Sequence, residues 1–124
     1  MGLLSVGKKS NNIPRIIEIP YIDRMEEIQN RLDTLSSISI LAGYKFKENT
    51  YEFGGSTVTA LMFVMGEEGS IKAWVFEVTY TKKAATSIEI YLHDESKLKP
   101  ERLVMHIKGY DELIDAFDKI MKFL

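Results

Sequence analysis

The sequence predicts a single α+β domain: an antiparallel β-meander sheet with an N-terminal helix and a C-terminal amphipathic helix. Three observations carry this. From residue 57 onward, short strand-like runs alternate with Gly-rich or charged turns. The last fifteen residues switch to a helical period, with Tyr110, Leu113, Ile114, Phe117, Ile120, Met121 and Leu124 on one stripe. The chain has 124 residues, 45% of them apolar and 27% charged, which suits one core and leaves no room for a second domain.

Residues 1–12, rich in Gly, Ser, Lys and Asn, read as a flexible tail, and 13–124 as the domain. Ile13, Ile16, Ile17, Ile19 and Ile22 are framed by Pro14 and Pro20, so this stretch reads as an edge strand or an extended arm. An arm packed on its own core is the simpler expectation; exchange with a second subunit is the other. Asp23 with Glu26 three residues later marks a helix start, and Met25, Ile28, Leu32 and Leu35 carry its apolar face to about Ser36.

A strand pattern is expected next. Ile38, Ile40 and Ala42 alternate with serines and a leucine, then Tyr44 and Phe46 with lysines. Lys47-Glu48-Asn49-Thr50 reads as a turn, and Tyr51 and Phe53 continue to the break at Gly54-Gly55. Thr57–Met65 is apolar on both faces and reads as a central strand. Gly66-Glu67-Glu68-Gly69 is a hairpin turn, followed by strands over 71–81, 86–93 and 102–108.

The charge is unevenly spread. The net charge is −2 and the pI about 5.7, which argues against a generic polyanion binder. Residues 1–47 and 70–110 each hold seven basic groups against five acidic, whereas 48–69 hold four acids and no base. No cysteine is present, which removes disulfides, thiolate zinc sites and a thiol nucleophile. Its absence fits a cytoplasmic chain, and with the Ile/Lys/Glu-rich composition it fits a heat-adapted one. The longest apolar runs fall far short of the roughly 20 residues that span a bilayer, so no membrane association is expected. Gly2 lacks the Ser or Thr that myristoylation requires four positions on, because Val6 stands there.

Trp74, Phe76, Val78 and Tyr80 share one strand face with Lys72. Aromatics beside lysines on a sheet can hold a single strand, bases on rings and phosphates on ammonium groups. The same face also suits a core under a helix, and burial preference favours that; Ala73, Val75, Glu77 and Thr79 then form the open side. If strands 86–93 and 102–107 pair as a simple hairpin, residue i faces about 195 − i. His106 is then opposite Glu89 and His93 opposite Arg102, too far apart for a shared metal. No nucleophile accompanies them, Gly54-Gly55-Ser56-Thr57 lacks the lysine and helix of a phosphate loop, and no enzyme, metal or cofactor is expected.

Four meander strands followed by one long amphipathic helix resemble the Whirly-like group, in particular the positive-cofactor-four family of single-stranded-DNA-binding coactivators. Ile88-Glu89-Ile90 is similar to that family's alternating strand, Asp94 and Glu95 to its acidic turn, and Lys99-Pro100-Glu101-Arg102 to its Lys-Pro-x-basic segment. Tyr110–Leu124 matches its dimerising helix. The likeness covers about half the chain; Glu101 stands where a glycine is expected, and residues 13–55 have no counterpart. The resemblance implies a homodimer that binds single-stranded DNA or RNA, with Lys97, Lys99 and Arg102 near phosphates. Charge position adds Lys82 and Lys83, and the aromatic row adds Lys72 and Trp74. The alternative is a protein-interaction or assembly subunit that uses the N-terminal arm and a sheet edge.

Overall fold

A computed structural model describes residues 25–81 and 85–124. The tail over 1–12, the arm over 13–22, the expected helix cap Asp23, and Lys82 and Lys83 lie outside the described residues. The elements are α1 (Met25–Leu41), β1 (Lys45–Phe53), β2 (Ser56–Met65), β3 (Lys72–Tyr80), β4 (Ala85–Asp94), β5 (Glu101–Ile107) and α2 (Tyr110–Phe123). The five strands form one antiparallel sheet in the order β1-β2-β3-β4-β5, a plain meander. Both helices lie on the same face, α1 over β1 and β2, α2 over β4 and β5.

Helix α1 runs five residues beyond the expected end, taking in Ile38, Ile40 and Leu41. Alternation there imitates a strand, but the buried face is Ile28, Leu32, Leu35 and Ser39, at helical spacings of four, three and four. Ser39 hides the period because it is polar; its hydroxyl is satisfied inside the helix by the Leu35 carbonyl at 2.7 Å. Tyr44 N–H then bonds to Ser39 O and Gly43 N–H to Ile40 O, the paired bonds of a Schellman end. Gly43 sits at φ 101°, the left-handed position this motif needs.

Lys47-Glu48-Asn49-Thr50 is likewise not a turn. It lies inside β1, laddered without a break to Met62, Leu61, Ala60 and Thr59 of β2. The polar composition is tolerated because β1 is the outer strand among the described ones and eight of its nine side chains are exposed. The real turn is Gly54-Gly55, both at positive φ between the paired Phe53 and Ser56, a two-residue hairpin loop.

The helix-covered face holds the core. Phe63 stacks on Trp74 with centroids 4.3 Å apart, and Phe76 lies 6.3 Å from Phe117 of α2. Ile88, Ile90 and Leu92 of β4 and Leu113, Ala116, Phe117 and Ile120 of α2 complete it. Trp74 is 0% exposed and donates its indole N–H to Ser39 Oγ at 2.9 Å, which ties β3 to α1. The aromatic row on β3 is therefore core, and its opposite side is the face that neither described helix covers.

Candidate nucleic-acid interface

Strand alternation fixes what the face opposite the two helices carries. Across the sheet, one register row reads Lys45, Val64, Ala73, His93, Arg102, and the next reads Lys47, Met62, Val75, Tyr91, Val104. The third reads Asn49, Ala60, Glu77, Glu89, His106, and Tyr51 and Phe53 follow farther along β1. Val58 and Ala60 on this side are buried, whereas Phe53 is 73% and Tyr51 43% exposed. The expected pairs His106–Glu89 and His93–Arg102 both occur.

A polar network occupies the middle of this face. Tyr91 donates its hydroxyl toward Glu89 at 2.6 Å and lies 3.2 Å from Glu77, the carboxylate directly opposite Glu89. His106 Nδ1 meets the other oxygen of Glu89 at 2.7 Å. The hydrogen bond to Glu89, then burial, then the charge of Glu77 push the Tyr91 hydroxyl far above its ordinary value. Tyr91 thus keeps its proton and spaces the two carboxylates. The Arg102 guanidinium lies over the Tyr91 ring, 4.4 Å from its centre, a cation on an aromatic face.

The expected site residues divide into five groups. Arg102 is exposed on the uncovered face. Lys97 and Lys99 are exposed in the loop between β4 and β5, at the same end of the sheet, where Lys97 reaches Glu101 at 3.9 Å. Lys72 is at that end too, but on the helix side, its ammonium 4.6 Å from the Phe123 ring centre. Trp74 is sealed beneath α1 and presents no ring to a base. Lys82 and Lys83 lie outside the described residues. Tyr91, Tyr51 and Phe53 were not among the expected residues. Tyr91 shares parity with Glu89 and His93, which was legible; Tyr51 and Phe53 join Lys45 and Lys47 only once β1 is seen to run unbroken.

The acids at this end are held by local bonds. Asp94 accepts the hydroxyl and the backbone N–H of Ser96, which, with Lys72 and Lys97 nearby, hold its carboxyl below the usual range. Glu95 accepts the N–H of Ile71 and of Gly69, both at 3.1 Å, and faces His93 at 3.3 Å. The Ile71 N–H and then His93 are the main causes that lower its carboxyl below the ordinary 4.5. A lowered carboxyl stabilises the fold above its unfolded-state value and loses that contribution as the pH falls through the folded one. Glu95→Ala is therefore expected to speed amide exchange at Gly69 and Ile71, and Glu95→Gln, which keeps an acceptor, to speed it less. In the wild type this protection should persist below pH 4.5 and fade at more acid pH. Unchanged exchange in Glu95→Ala would show that the carboxylate does not clasp the turn.

Among the described residues, no helix is long and apolar enough to cross a membrane, and no group of three or more His, Asp or Glu is placed to hold a metal ion. Comparisons with known protein families, with curated proteins and with solved structures gave no match.

Proposed function

We propose that this chain is a non-catalytic binding module of the cytoplasm whose sheet face opposite the two helices takes single-stranded DNA or RNA. The observation that carries the reading is one register row, Lys45–Val64–Ala73–His93–Arg102, which has cationic or titratable groups at both sides and no acid. It crosses five strands, about 19 Å at about 4.8 Å per strand gap. Phosphates along it would meet Lys45, Arg102 and, one row in, Lys47, with Lys97 and Lys99 of the adjoining loop extending the path. Tyr51 and Phe53 offer exposed rings for stacking, worth about 1–3 kcal/mol per base where such contacts form. Glu77 and Glu89 sit two rows away under Tyr91 and His106, and the acids nearer the path are engaged locally, Glu95 by the Gly69 and Ile71 N–H groups and His93, and Glu101 by Lys97.

Fluorescence anisotropy of a labelled oligonucleotide, titrated at several salt concentrations, tests this. Neutralising Lys45, Lys47 and Arg102 together should weaken binding and flatten the dependence of log affinity on log salt by about 0.7 per lost contact. Neutralising Lys97 and Lys99 should do the same for the loop.

The second reading, an interaction or assembly subunit, is favoured by the net charge of −2 and by strand β1, of whose nine side chains eight are exposed. Absence of any single-strand binding at low salt would transfer the face to a protein partner.

A further inference from the structure

The Arg102 guanidinium is placed by an aromatic ring and not by a carboxylate. It lies over Tyr91, 4.4 Å from the ring centre, and among the described residues it forms no ion pair. Two carboxylates are nevertheless close to that ring. Glu89 and Glu77, which oppose each other on β4 and β3, lie 2.6 Å and 3.2 Å from the Tyr91 hydroxyl. His106 Nδ1 meets the second oxygen of Glu89 at 2.7 Å. Both acids are thus engaged at the hydroxyl end of the ring, while the guanidinium rests on its face. We propose that Tyr91 is a positioning residue: Glu77 and Glu89 anchor its hydroxyl, and its ring holds Arg102 for a phosphate group. The phosphate rests on the nucleic-acid reading; the holding does not, and it can be measured without a ligand.

The choice of a ring decides what Arg102 can still do. A ring attracts a cation through its quadrupole and takes up none of the five guanidinium N–H donors. A carboxylate in its place would take two of them in a bidentate pair and cancel the charge. Tyr91 therefore orders a long side chain and leaves its charge and donors to an incoming anion, which lowers the ordering cost of binding. The sheet supplies the parts from three strands. Glu77 on β3 and Glu89 on β4 give the anchor, Tyr91 on β4 the ring, and Arg102 on β5 the cation. Tyr91 pairs with Val104, so its ring stands beside Arg102 on the same face, two residues along β5. His93, directly opposite Arg102, is engaged by Glu95 at 3.3 Å.

Heteronuclear NMR of the Arg102 Nε–H tests the holding, with the signal assigned by its loss in Arg102→Gln. In the wild type the ring should shift that proton upfield, and the group should be as ordered as the strand backbone. Tyr91→Leu should abolish both effects. Tyr91→Phe, which keeps the ring and drops the anchor, should fall between. For a fluorescein-labelled oligothymidylate at low salt, Tyr91→Leu should weaken binding about two- to fivefold, the worth of a cation on an exposed ring. Added to Arg102→Gln it should weaken binding no further, because both changes remove the same contact. The proposal is overturned if the Arg102 signal is the same in Tyr91→Leu as in the wild type, or if the two changes are fully additive. Should the leucine variant fail to fold, Tyr91→Phe carries the first criterion, and an unmoved Arg102 signal there overturns the proposal. A wild type that binds no oligonucleotide overturns the nucleic-acid reading and removes the phosphate with it, and the Arg102 signal still decides whether Tyr91 holds the guanidinium.

Discussion

Truncating Trp74 to alanine is expected to destabilise the domain by about 3–5 kcal/mol, the range for deleting a fully buried aromatic. Two losses coincide at this position. The indole is 0% exposed and stacked on Phe63 with an interplanar angle of 14°, so its removal opens a cavity between β2, β3 and α1. Its N–H also donates to Ser39 Oγ, which is buried and itself donates to the Leu35 carbonyl. Trp74→Phe separates the two, because it keeps most of the packing and removes only the donor. That variant should lose less, about 1–3 kcal/mol for the unmade bond and the smaller ring. Urea unfolding of both variants gives the comparison. A cost below about 1 kcal/mol for Trp74→Ala would return this face to solvent and reverse the assignment of the sheet's two sides.

Phe117→Ala should cost about as much, about 3–5 kcal/mol, through the other helix. Phe117 is 2% exposed at the centre of the α2 stripe, flanked by Leu113, Ala116 and Ile120 and facing Phe76 across the helix–sheet interface. Met121, which the sequence periodicity also places on the stripe, is 47% exposed. Met121→Ala in the same series should therefore fall within about 1 kcal/mol of wild type. Equal losses at 117 and 121 would mean that α2 is rotated about its axis or that a second molecule covers its outer side.

How legible each element was depended on which signal competed with the correct one. The C-terminal helix and strands β3 to β5 were readable because their apolar residues keep one period, β2 because it is an unbroken apolar run, and all of them because their turns contain Gly or charge. The pairings His106–Glu89 and His93–Arg102 followed from loop length alone. Helix α1 was read short because serines occupy its buried stripe at 36 and 39, and Ile38 and Ile40 alternate like a strand. A hydroxyl can return its hydrogen bond to the helix backbone, so Ser39 satisfies burial without showing hydrophobicity. Strand β1 was split because Glu48, Asn49 and Thr50 look like turn residues, and it is their pairing with β2 that shows them extended. That split concealed the functional candidates, since Lys45, Lys47, Tyr51 and Phe53 align on one face only when β1 is continuous. The β3 aromatics suited stacking and core equally by composition. Their burial is decided by α1 and α2 lying on that side, which one strand cannot reveal.

In the proposed function, Lys45, Lys47 and Arg102 on the face opposite the helices grip the phosphates of a single strand. Its most direct test is the affinity of a fluorescent single-stranded oligonucleotide measured across a salt series, for the wild type and for the variant neutral at those three positions. Measurable binding at low salt is expected, with a linear fall of log affinity with log salt and a slope shallower by about 2 in the variant, from about 0.7 for each of three contacts. Urea unfolding should be nearly unchanged, because all three side chains are on the surface. Wild-type protein that binds no strand at low salt, or a variant with the parental slope, would contradict it.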